Sequence, residues 1–241
     1  MFGFLKPKVK IGNLPYCCEV HSHILPGVDD GFKNVDDSTQ ILRHFQKDGI
    51  THVAFTPHID PGMFPKNTKP FLQERFKDFV NALPQDINMK FHLAGEYMCD
   101  DQMKTDEPLL HFHDSSVLIE MSYFYVSPYI KEIIFGLMNE GFKPILAHPE
   151  RYVYLAGQWE VYENYRDMGC RFQLNLLSLS GAYGPESKMI IKHLLEQGMY
   201  RYTGTDAHSL RQYMLIRNTK IPRKQAEEVE ELMHNNRELF P

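Results

Sequence analysis

Cysteine is scarce in this sequence, and its arrangement excludes two kinds of site. The 241 residues include four cysteines, Cys17, Cys18, Cys99 and Cys170, which form neither a Cys-x-x-Cys zinc pair nor a disulfide framework. A cysteine-dependent phosphatase carries an arginine six positions after its nucleophile, where it wraps the phosphate. The corresponding positions of this sequence hold His23, Ile24, Thr105 and Leu176. That phosphate chemistry is therefore excluded, and the thiols are expected to be reduced.

Excess positive charge, long apolar runs and low-complexity tracts are also lacking. Lysine and arginine total 26 against 31 aspartates and glutamates, a formal net charge of −5 that argues against nucleic acid as a partner. No apolar run has the length of a signal-peptide core or of a bilayer span. We therefore expect a cytoplasmic protein without a transmembrane segment. Since no Gly/Ser linker divides the chain, residues 1–241 are expected to form one domain.

What the sequence does contain is a repeated unit of helix, glycine and strand. Asn34 is placed to cap the helical segment VDDSTQILRHFQKD, and Gly49 stops that helix before the apolar run THVAFTP. Later units contain Gly141, Gly169 and Gly198, each followed by a strand-like run. The alternation predicts an α/β fold with a parallel sheet. A chain of this length is also able to close such a sheet into a barrel.

Two helices are predicted in more detail. Ser127 and Pro128 stand ahead of YIKEIIFGLMNE in the order typical of a helix entrance. The C-terminal segment IPRKQAEEVEELMHNNRELF has the pattern of an amphipathic helix that packs on the rest of the fold. Its predicted inward face consists of Ala226, Val229, Leu232 and Met233.

Imidazole and carboxylate side chains stand at the ends of most strand-like runs, including VAFTPH, FHLAGE, SVLIE, PILAH and YTGTDAH. The carboxyl ends of parallel strands meet at one rim of a βα barrel, so these side chains are expected to converge. They are His21, His23, His58, Glu96, Glu120, His148, Asp206 and His208, with Asp30 from the loop after the first pair. A single His-x-His is weak evidence for a metal site, but six strand ends bearing such groups predict one.

Imidazole and carboxylate donors without thiolates favour manganese, iron or zinc ions. Because the donors outnumber the four that close a structural zinc site, we expect two or three divalent ions. With three ions, the carboxylates of Asp30, Glu96, Glu120 and Asp206 leave a surplus of about two positive charges, which matches a phosphate monoester dianion. Clustered ions lower the pKa of a bridging water to about 7, and the resulting hydroxide is expected to attack phosphorus.

Arginine and aromatic side chains stand where a phosphorylated substrate would meet them. Arg151 follows His148 by three residues and Arg211 follows His208 by three, so both guanidinium groups are candidates for bidentate binding of phosphate oxygens. The segment MSYFYVSPY (121–129) comes directly after a strand end and is expected to overhang the site as a loop. Its aromatic rings would then pack against a flat ring of the substrate. The alternative interpretations are that Arg151 and Arg211 are solvated surface residues and that the segment 121–129 is a loop packed against the barrel.

The motifs HSHILPGVDDG, LAGE, LIEM, AHPERY and TDAH, together with the His58 strand end, resemble the polymerase-and-histidinol-phosphatase (PHP) superfamily. In order and spacing they look most like its branch of manganese-dependent protein tyrosine phosphatases from bacterial capsule and exopolysaccharide operons. The resemblance covers residues 19–211. It implies a distorted seven-stranded βα barrel with a metal centre. It also implies hydrolysis of phosphotyrosine on a membrane-associated tyrosine autokinase that controls polysaccharide synthesis.

The resemblance further implies roles for individual residues. Arg151 and Arg211 match the family's phosphate-binding arginines and would bind the substrate phosphate. Independently of the resemblance, we expect Asp206 or His208, as an acidic group at the metal centre, to protonate the leaving phenolate. The implied metal ligands are His21, His23, Asp30, His58, Glu96, Glu120, His148, Asp206 and His208. The chain departs from the family pattern in two places: Glu19 stands where the family has the aspartate of Asp-x-His-x-His, and residues 1–18 form an N-terminal extension.

The same set of predicted ligands leaves two other functions open. One is a phosphatase for a small metabolite of the histidinol phosphate type, since such a substrate needs the same metal rim. The other is a non-catalytic metal-binding regulator or scaffold that docks through the N-terminal extension. Turnover of different phosphate esters distinguishes the three interpretations.

Overall fold

The structure, a computed structural model, describes residues 7–241 as an alternating series of strands and helices. The strands are β1 (Lys8–Lys10), β2 (Cys18–Glu19), β3 (His52–Phe55), β4 (His58–Ile59), β5 (Lys90–Leu93), β6 (Glu96–Met98), β7 (Ser116–Glu120), β8 (Lys143–Ala147), β9 (Arg171–Asn175), β10 (Tyr200–Gly204) and β11 (Lys220–Pro222). The helices are α1 (Val35–Lys47), α2 (Lys69–Ala82), α3 (Ile130–Asn139), α4 (Trp159–Asp167), α5 (Gly184–Glu196), α6 (Leu210–Asn218) and α7 (Arg223–Asn235). The predicted alternation is confirmed.

Parallel pairing dominates the sheets and confirms the predicted α/β class. Six strands pair in the order β10-β9-β8-β7-β6-β4, and three more pair in the order β2-β3-β5. The chain passes directly from β3 to β4 and from β5 to β6, so the two sheets are continuous through the backbone. A parallel bridge between Ser22 and Ala207 then joins the segment after β2 to the segment after β10. The strand series thus returns to its start through a bridge rather than a full ladder.

Two residues explain why the ladders are interrupted. Pro57 lies between β3 and β4, and a proline has no N–H to donate to a neighbouring strand. Gly95 lies between β5 and β6, where a Cβ atom would stand 2.4 Å from Cδ1 of Ile59. A larger residue at position 95 would therefore displace the Ile59 side chain. The distortion therefore occurs just before His58 and Glu96, the first residues of β4 and β6.

Helices α1 and α7 form as the sequence predicts. The Asn34 side chain accepts a hydrogen bond of 2.9 Å from the backbone N–H of Asp37, and Ile41, Leu42 and Phe45 are buried. Helix α7 buries the four predicted residues Ala226, Val229, Leu232 and Met233. Both helices therefore cover the sheets with the face that their hydrophobic period defines.

Helix α3 begins later than predicted. Its first residue is Ile130, whereas Ser127 was expected to cap it. The Ser127 hydroxyl instead donates to the carbonyl of Cys99 and accepts from the N–H of Tyr129 at 3.2 Å. Ser127 therefore links the aromatic segment 121–129 to Cys99, the residue that follows β6.

The strand-like run after Gly169, RFQLNLLSL (171–179), is only partly a strand. Strand β9 ends at Asn175, whose side chain accepts a hydrogen bond of 2.8 Å from the N–H of Leu177. A short 3₁₀ helix, Leu176–Ser180, follows. Local capping thus ends the strand, because Asn competes well for nearby backbone donors.

The apolar core has two parts. The larger part lies between the sheets and the helices and includes Phe45, Phe55, Leu137 and Tyr162, all fully buried. The smaller part is a separate cluster drawn mainly from the strands and the C-terminal end of the chain. Its members are Cys18, Val20, Ala54, Ala94, Phe112, Leu118, Ile145, Ala147, Tyr202, Leu239 and Phe240. The C-terminal residues therefore contribute to the packing between strands.

Part of the N-terminal extension packs against the C-terminal region. Residues 1–6 lie outside the described part of the chain, but β1 pairs antiparallel with β11. The next residue, Ile11, is buried and its N–H donates to the carbonyl of Thr219 at 3.0 Å. Among residues 7–241, no helix combines the length and the apolar character that crossing a bilayer requires.

Candidate metal centre

The nine predicted metal ligands lie at or just beyond the carboxyl ends of the parallel strands. Glu120 is the last residue of β7, while His58 and Glu96 open the short strands that follow the two ladder breaks. The other six lie in the loops that leave β2, β8 and β10, namely His21, His23, Asp30, His148, Asp206 and His208. The structure thus brings all nine residues to one rim, and their role as ligands stays a prediction.

Donor atoms of these nine residues form four overlapping groups. Within each group, one nitrogen or oxygen atom from every residue lies within 4.8 Å of the others. The groups are His23 with Asp30, His58 and His208; His21 with His23 and Glu96; His21 with His148 and Asp206; and His58 with Glu96 and Glu120. Because several residues belong to two groups, neighbouring groups share donors. Shared donors are typical of a centre that holds more than one ion.

Glu96 is buried among the imidazoles of this cluster. Its Oε2 lies 3.2 Å from a ring nitrogen of each of His21, His23 and His58, and its Oε1 lies 3.0 Å from Nε2 of His148. Burial disfavours the carboxylate, but the imidazoles outweigh burial and hold the pKa of Glu96 well below its usual range. A carboxylate that contacts four imidazoles would be a ligand of any metal ion that these rings hold.

Asp206 connects the cluster to an arginine. Its Oδ1 lies 3.4 Å from Nε2 of His21 and 3.3 Å from Nε2 of His23, while its Oδ2 accepts hydrogen bonds from Arg151 at 2.9 Å and Asn175 at 2.8 Å. Burial opposes ionisation of this group, but the neighbouring imidazoles and Arg151 hold its pKa well below the usual range. Both carboxylate oxygens of Asp206 are therefore engaged.

Asp30 lies on the solvent side of the cluster. Its Oδ1 is 3.4 Å from Nε2 of His58 and 3.3 Å from Nε2 of His208, and 61% of its side chain is exposed. The ring of His208 also stacks on that of His23, with centroids 4.0 Å apart. The donor group of His23, Asp30, His58 and His208 is thus the one most open to an incoming ligand.

Backbone strain is concentrated at the site. Among residues 7–241, three non-glycine residues have positive φ: Ser115, His148 at 35° and Asp206 at 51°. Such a conformation is unfavourable for residues with a Cβ atom and persists where surrounding contacts enforce it. Two of the three are predicted ligands, so the strand-end loops are held in the conformation that turns these side chains inward.

Other side chains orient the histidines without belonging to the predicted set. Gln173 of β9 places its Oε1 2.9 Å from Nδ1 of His21, and Asp29 places Oδ2 2.8 Å from Nδ1 of His23. Each partner occupies Nδ1 and leaves Nε2 facing the cluster, as is usual around metal-binding histidines. Sequence reasoning missed both. The tandem aspartate was a signal for Asp29, but nothing local distinguished Gln173.

The glutamate that departs from the family pattern binds backbone. Glu19 is buried, and its Oε1 accepts hydrogen bonds from the N–H groups of His21 at 2.9 Å and Thr205 at 3.1 Å. Burial raises the pKa of this carboxyl. Glu19 therefore ties the loop after β2 to the loop after β10, and it contacts His21 through the main chain.

A second buried carboxyl group, that of Glu150, contacts residues that support the site. Glu150, within the AHPERY motif, accepts hydrogen bonds from the Asn175 N–H at 2.9 Å, the Ser178 hydroxyl at 2.7 Å and the Tyr200 hydroxyl at 2.9 Å. Asn175 in turn donates to Asp206. Glu150 was not among the predicted site residues, because its partners lie in strands β9 and β10 and in the 3₁₀ helix between them, all of which follow it in the chain.

The donor set fits divalent metal ions. The donors are imidazole nitrogens and carboxylate oxygens, with no thiolate in any of the four groups among residues 7–241. Burial disfavours protonation of His23 and His58, but the surrounding carboxylates raise the pKa of both rings well above the usual value. A cluster that draws protons in this way also attracts cations, and metal binding to histidine releases those protons.

The two predicted phosphate-binding arginines differ in their surroundings. The guanidinium of Arg151 lies 4.1 Å from the ring centroid of Tyr123 and 4.6 Å from that of Tyr183, and it donates to Asp206. Arg211 is exposed and lines a separate open cleft that includes His208. Within the described residues, its side chain makes no hydrogen bond or ion pair. Arg151 is thus held at the cluster, whereas Arg211 is exposed in the neighbouring cleft.

An open cleft of about 630 Å³ leads to the cluster. It includes Asp30, His58 and Glu120, and most of the aromatic segment 121–129 lines it, as expected of a loop that overhangs the site. Phe64 lies on the other side, stacked on His58 with ring centroids 5.5 Å apart. We call this feature the aromatic cleft. Its rings stand next to the predicted ligands.

The fold and the cluster together define a parallel α/β protein with a centre suited to several divalent ions. The chain belongs to the CpsB/CapC family of capsular polysaccharide synthesis, whose family model matches residues 17–239. Family membership thus agrees with the resemblance that the motifs show.

Individual relatives are consistent with this family. The chain is 27% identical over 198 residues to the tyrosine-protein phosphatase YwqE of Bacillus subtilis (strain 168), covering 80% of this chain and 78% of YwqE. It is 27% identical over 203 residues to the tyrosine-protein phosphatase CpsB of Streptococcus pneumoniae, covering 80% and 83%. One of the crystal structures of YwqE and CpsB, described as unique metal-dependent tyrosine phosphatases, superposes with a TM-score of 0.70 at 24% identity, covering 92% of this chain and 87% of the other. That likeness shows the fold.

Proposed function

We propose that this protein is a metal-dependent protein tyrosine phosphatase of capsular or exopolysaccharide synthesis. The observation that carries the proposal is the convergence of nine imidazole and carboxylate side chains into four groups with shared members. The names of the relatives YwqE and CpsB support phosphotyrosine as the substrate. The physiological substrate in this proposal is a membrane-associated tyrosine autokinase, reached from the cytoplasm.

The proposed cofactor is a set of two or three divalent ions, with Mn²⁺ as the native metal and iron or zinc as alternatives. The ligands would be drawn from His21, His23, Asp30, His58, Glu96, Glu120, His148, Asp206 and His208. When bound, such ions stabilise the charge on phosphoryl oxygens and lower the pKa of water. Glu96, with imidazoles on both oxygens, would hold neighbouring ions together.

The arginines would hold the phosphate. Arg151 is fixed by the rings of Tyr123 and Tyr183, and only one of its nitrogens donates to Asp206, so other N–H groups remain for phosphate oxygens. Arg211 would approach from the neighbouring cleft. Together they would clamp the dianion from two sides, which suits a reaction that depends on positioning and charge neutralisation.

We assign protonation of the leaving phenolate to His208 in preference to Asp206, and in this assignment Nε2 of His208 carries that proton in place of a metal ion. Both oxygens of Asp206 are engaged by imidazoles, Arg151 and Asn175. The Nδ1 of His208 lies 2.9 Å from the carbonyl of Asp206, and its Nε2 points toward the partly exposed Asp30. His208 therefore presents a ring nitrogen at the open side of the cluster, where the phenolate would leave.

We also propose that residues 1–241 act as one domain. Support comes from the parallel pairings that link strands from β2 to β10 and from the pairing of β1 with β11. A fragment lacking the extension would lose the β1–β11 pairing and the buried Ile11 side chain.

The test measures hydrolysis of a phosphotyrosine peptide and of histidinol phosphate by manganese-loaded protein. Wild type is expected to hydrolyse the peptide with the higher kcat/KM, and His148→Ala to lose about 100-fold or more of that activity, because His148 contacts Glu96 in the cluster. His234→Ala, a change at an exposed histidine of α7, is the matched control and should retain activity.

Two results would contradict the proposal. Higher kcat/KM for histidinol phosphate would keep the metal centre but change the substrate to a small metabolite. Absence of metal-dependent turnover on either ester would favour a non-catalytic metal-binding protein.

A further inference from the structure

The aromatic cleft exposes an unusual amount of apolar surface. Phe124 is 89% exposed, Met63 is 72% exposed and Tyr125 is 62% exposed, and all three line this one cleft. Contiguous apolar patches on a protein surface commonly mark sites of interaction. The volume of about 630 Å³ falls in the range of clefts that bind drug-sized ligands, which are larger than one phenol ring. The cleft therefore has room for more than the side chain that would carry the phosphate.

The charged side chains of the same cleft are all acidic apart from His58. Away from the predicted ligands, they are Asp60, Asp100 and Asp101, and the described lining contains no lysine or arginine. Asp60 is held by hydrogen bonds from the N–H groups of Gly62 at 2.8 Å and Met63 at 3.0 Å. The separate cleft that His208 lines is different, because Lys33 and Arg211 line it together with a single carboxylate, that of Asp37. The rim of the site is thus electrostatically asymmetric.

We propose that the aromatic cleft binds the polypeptide segment adjoining the phosphorylated tyrosine, and that it selects a segment with an apolar side chain and a lysine or arginine. The inference rests on the proposed function and specifies its substrate. The occupant must be continuous with the group at the cluster, because the cleft shares Asp30, His58 and Glu120 with the predicted ligands. Apolar side chains would pack on Phe124 and Met63, and the cation would lie near Asp100 and Asp101.

The experiment compares three phosphotyrosine peptides of equal length, flanked by leucine and lysine, by leucine and glutamate, or by glycine and serine. The readout is the ratio of kcat/KM for the lysine peptide to that for the glutamate peptide, with manganese-loaded protein at low ionic strength. Wild type is expected to give a ratio of about five to ten, mostly through KM, and the ratio should fall as salt is added. Binding of the corresponding non-hydrolysable phosphonate peptides is expected to follow the same order.

Paired variants localise the preference. The double change Asp100→Asn with Asp101→Asn should bring the ratio close to one, and Phe124→Ser should raise KM for both leucine peptides relative to the glycine-serine peptide. The double change Glu163→Gln with Asp167→Asn removes the same charge from the exposed surface of α4 and should keep the wild-type ratio. Phe135→Ser, at a residue 70% exposed on α3 and outside the cleft lining, is the apolar control.

The outcomes separate the two proposals. Hydrolysis of all three peptides with a ratio near one, or a ratio that the Asp100/Asp101 variant leaves unchanged, would overturn the docking inference and leave the phosphatase in place. Failure to hydrolyse any phosphotyrosine peptide, with metal-dependent turnover of histidinol phosphate retained, would overturn both.

Discussion

At the scale of single residues, the site depends on side chains that orient the donors as much as on the donors themselves. His21 is held by Gln173 and His23 by Asp29, in each case through Nδ1. An imidazole with one nitrogen fixed presents the other in a defined direction, which reduces the entropy lost when an ion binds. Residues of this kind are therefore expected to control metal affinity without contacting the metal.

Substitution of Gln173 tests this expectation. Gln173→Ala removes the oxygen 2.9 Å from Nδ1 of His21 and should weaken metal binding by about 10- to 100-fold. Gln173→Glu keeps an acceptor at the same position and should retain most of the affinity. Competition with a chelator of known affinity measures both variants. Equal affinities for wild type and Gln173→Ala would show that the buried packing around His21 alone orients the ring.

At the scale of elements, the breaks in the strand ladders have a role in building the site. Pro57 and Gly95 interrupt two strands, and each break is followed by a residue of the cluster, His58 or Glu96. An uninterrupted pleat alternates side chains between the two faces of a sheet. A break releases the following residue from that alternation, so its side chain is free to turn toward the rim.

The opposite ends of the strands are joined by an ionic contact that gives a pH-dependent prediction. Asp114 accepts hydrogen bonds from the Ser116 N–H at 3.0 Å and from Lys143 at 3.2 Å, which links the starts of β7 and β8. Partial burial opposes ionisation, but these donors outweigh it and lower the pKa of Asp114. Because the folded-state pKa is below the unfolded value of about 3.9, the contribution to stability is complete above that pH. It is lost as the pH falls through the folded-state pKa.

Asp114→Asn should therefore lower the free energy of unfolding by about 1 kcal/mol at pH 7. The difference from wild type should shrink as the pH is lowered below about 4. Urea unfolding at several pH values measures it. Asp86→Asn, at an exposed ion pair with Arg43, is the comparison and should have little effect at any of these pH values. A difference for Asp114→Asn that does not vary with pH would contradict the assignment.

At the scale of the whole molecule, the fold concentrates ionisable groups from most of its length. Four carboxylates and five imidazoles from six strand ends meet at one rim, where many are buried. Such groups are costly to bring together unless they neutralise one another or bind ions. We therefore expect the binding of metal ions at this centre to stabilise the fold.

Removal of metal should lower the thermal stability of the protein. A ligand that binds only the folded state stabilises it by about 2.7 kcal/mol when present at 100 times its dissociation constant. Treatment with a chelator is thus expected to lower the Tm by several degrees, and added Mn²⁺ to restore it. Thermal unfolding with elemental analysis measures both, and His148→Ala should respond less than wild type. Equal Tm values before and after removal of bound ions would argue against a structural contribution of the centre.

Much of the fold was predictable because its signals are local. The Asn34 cap and the inward face of α7 depend on residues within a few turns of helix, and both predictions are confirmed. The end of β9 at Asn175 and the late start of α3 were not predicted. In each case a side-chain hydrogen bond competes with regular structure, and for Ser127 the partner is Cys99, far away in the chain.

Short segments of the sequence specify the class of fold and the identities of the nine candidate donors, because strand period and the placement of polar residues at strand ends are local properties. Which atoms meet depends on packing in three dimensions: Glu96 contacts four imidazoles, Gln173 orients His21, and Arg151 is held at the cluster while Arg211 is exposed. These outcomes depend on strand register and on close approach, such as that of Gly204, where a Cβ atom would lie 2.6 Å from Cβ of His21. Distances between residues far apart in the chain follow from packing, which local spacing does not encode.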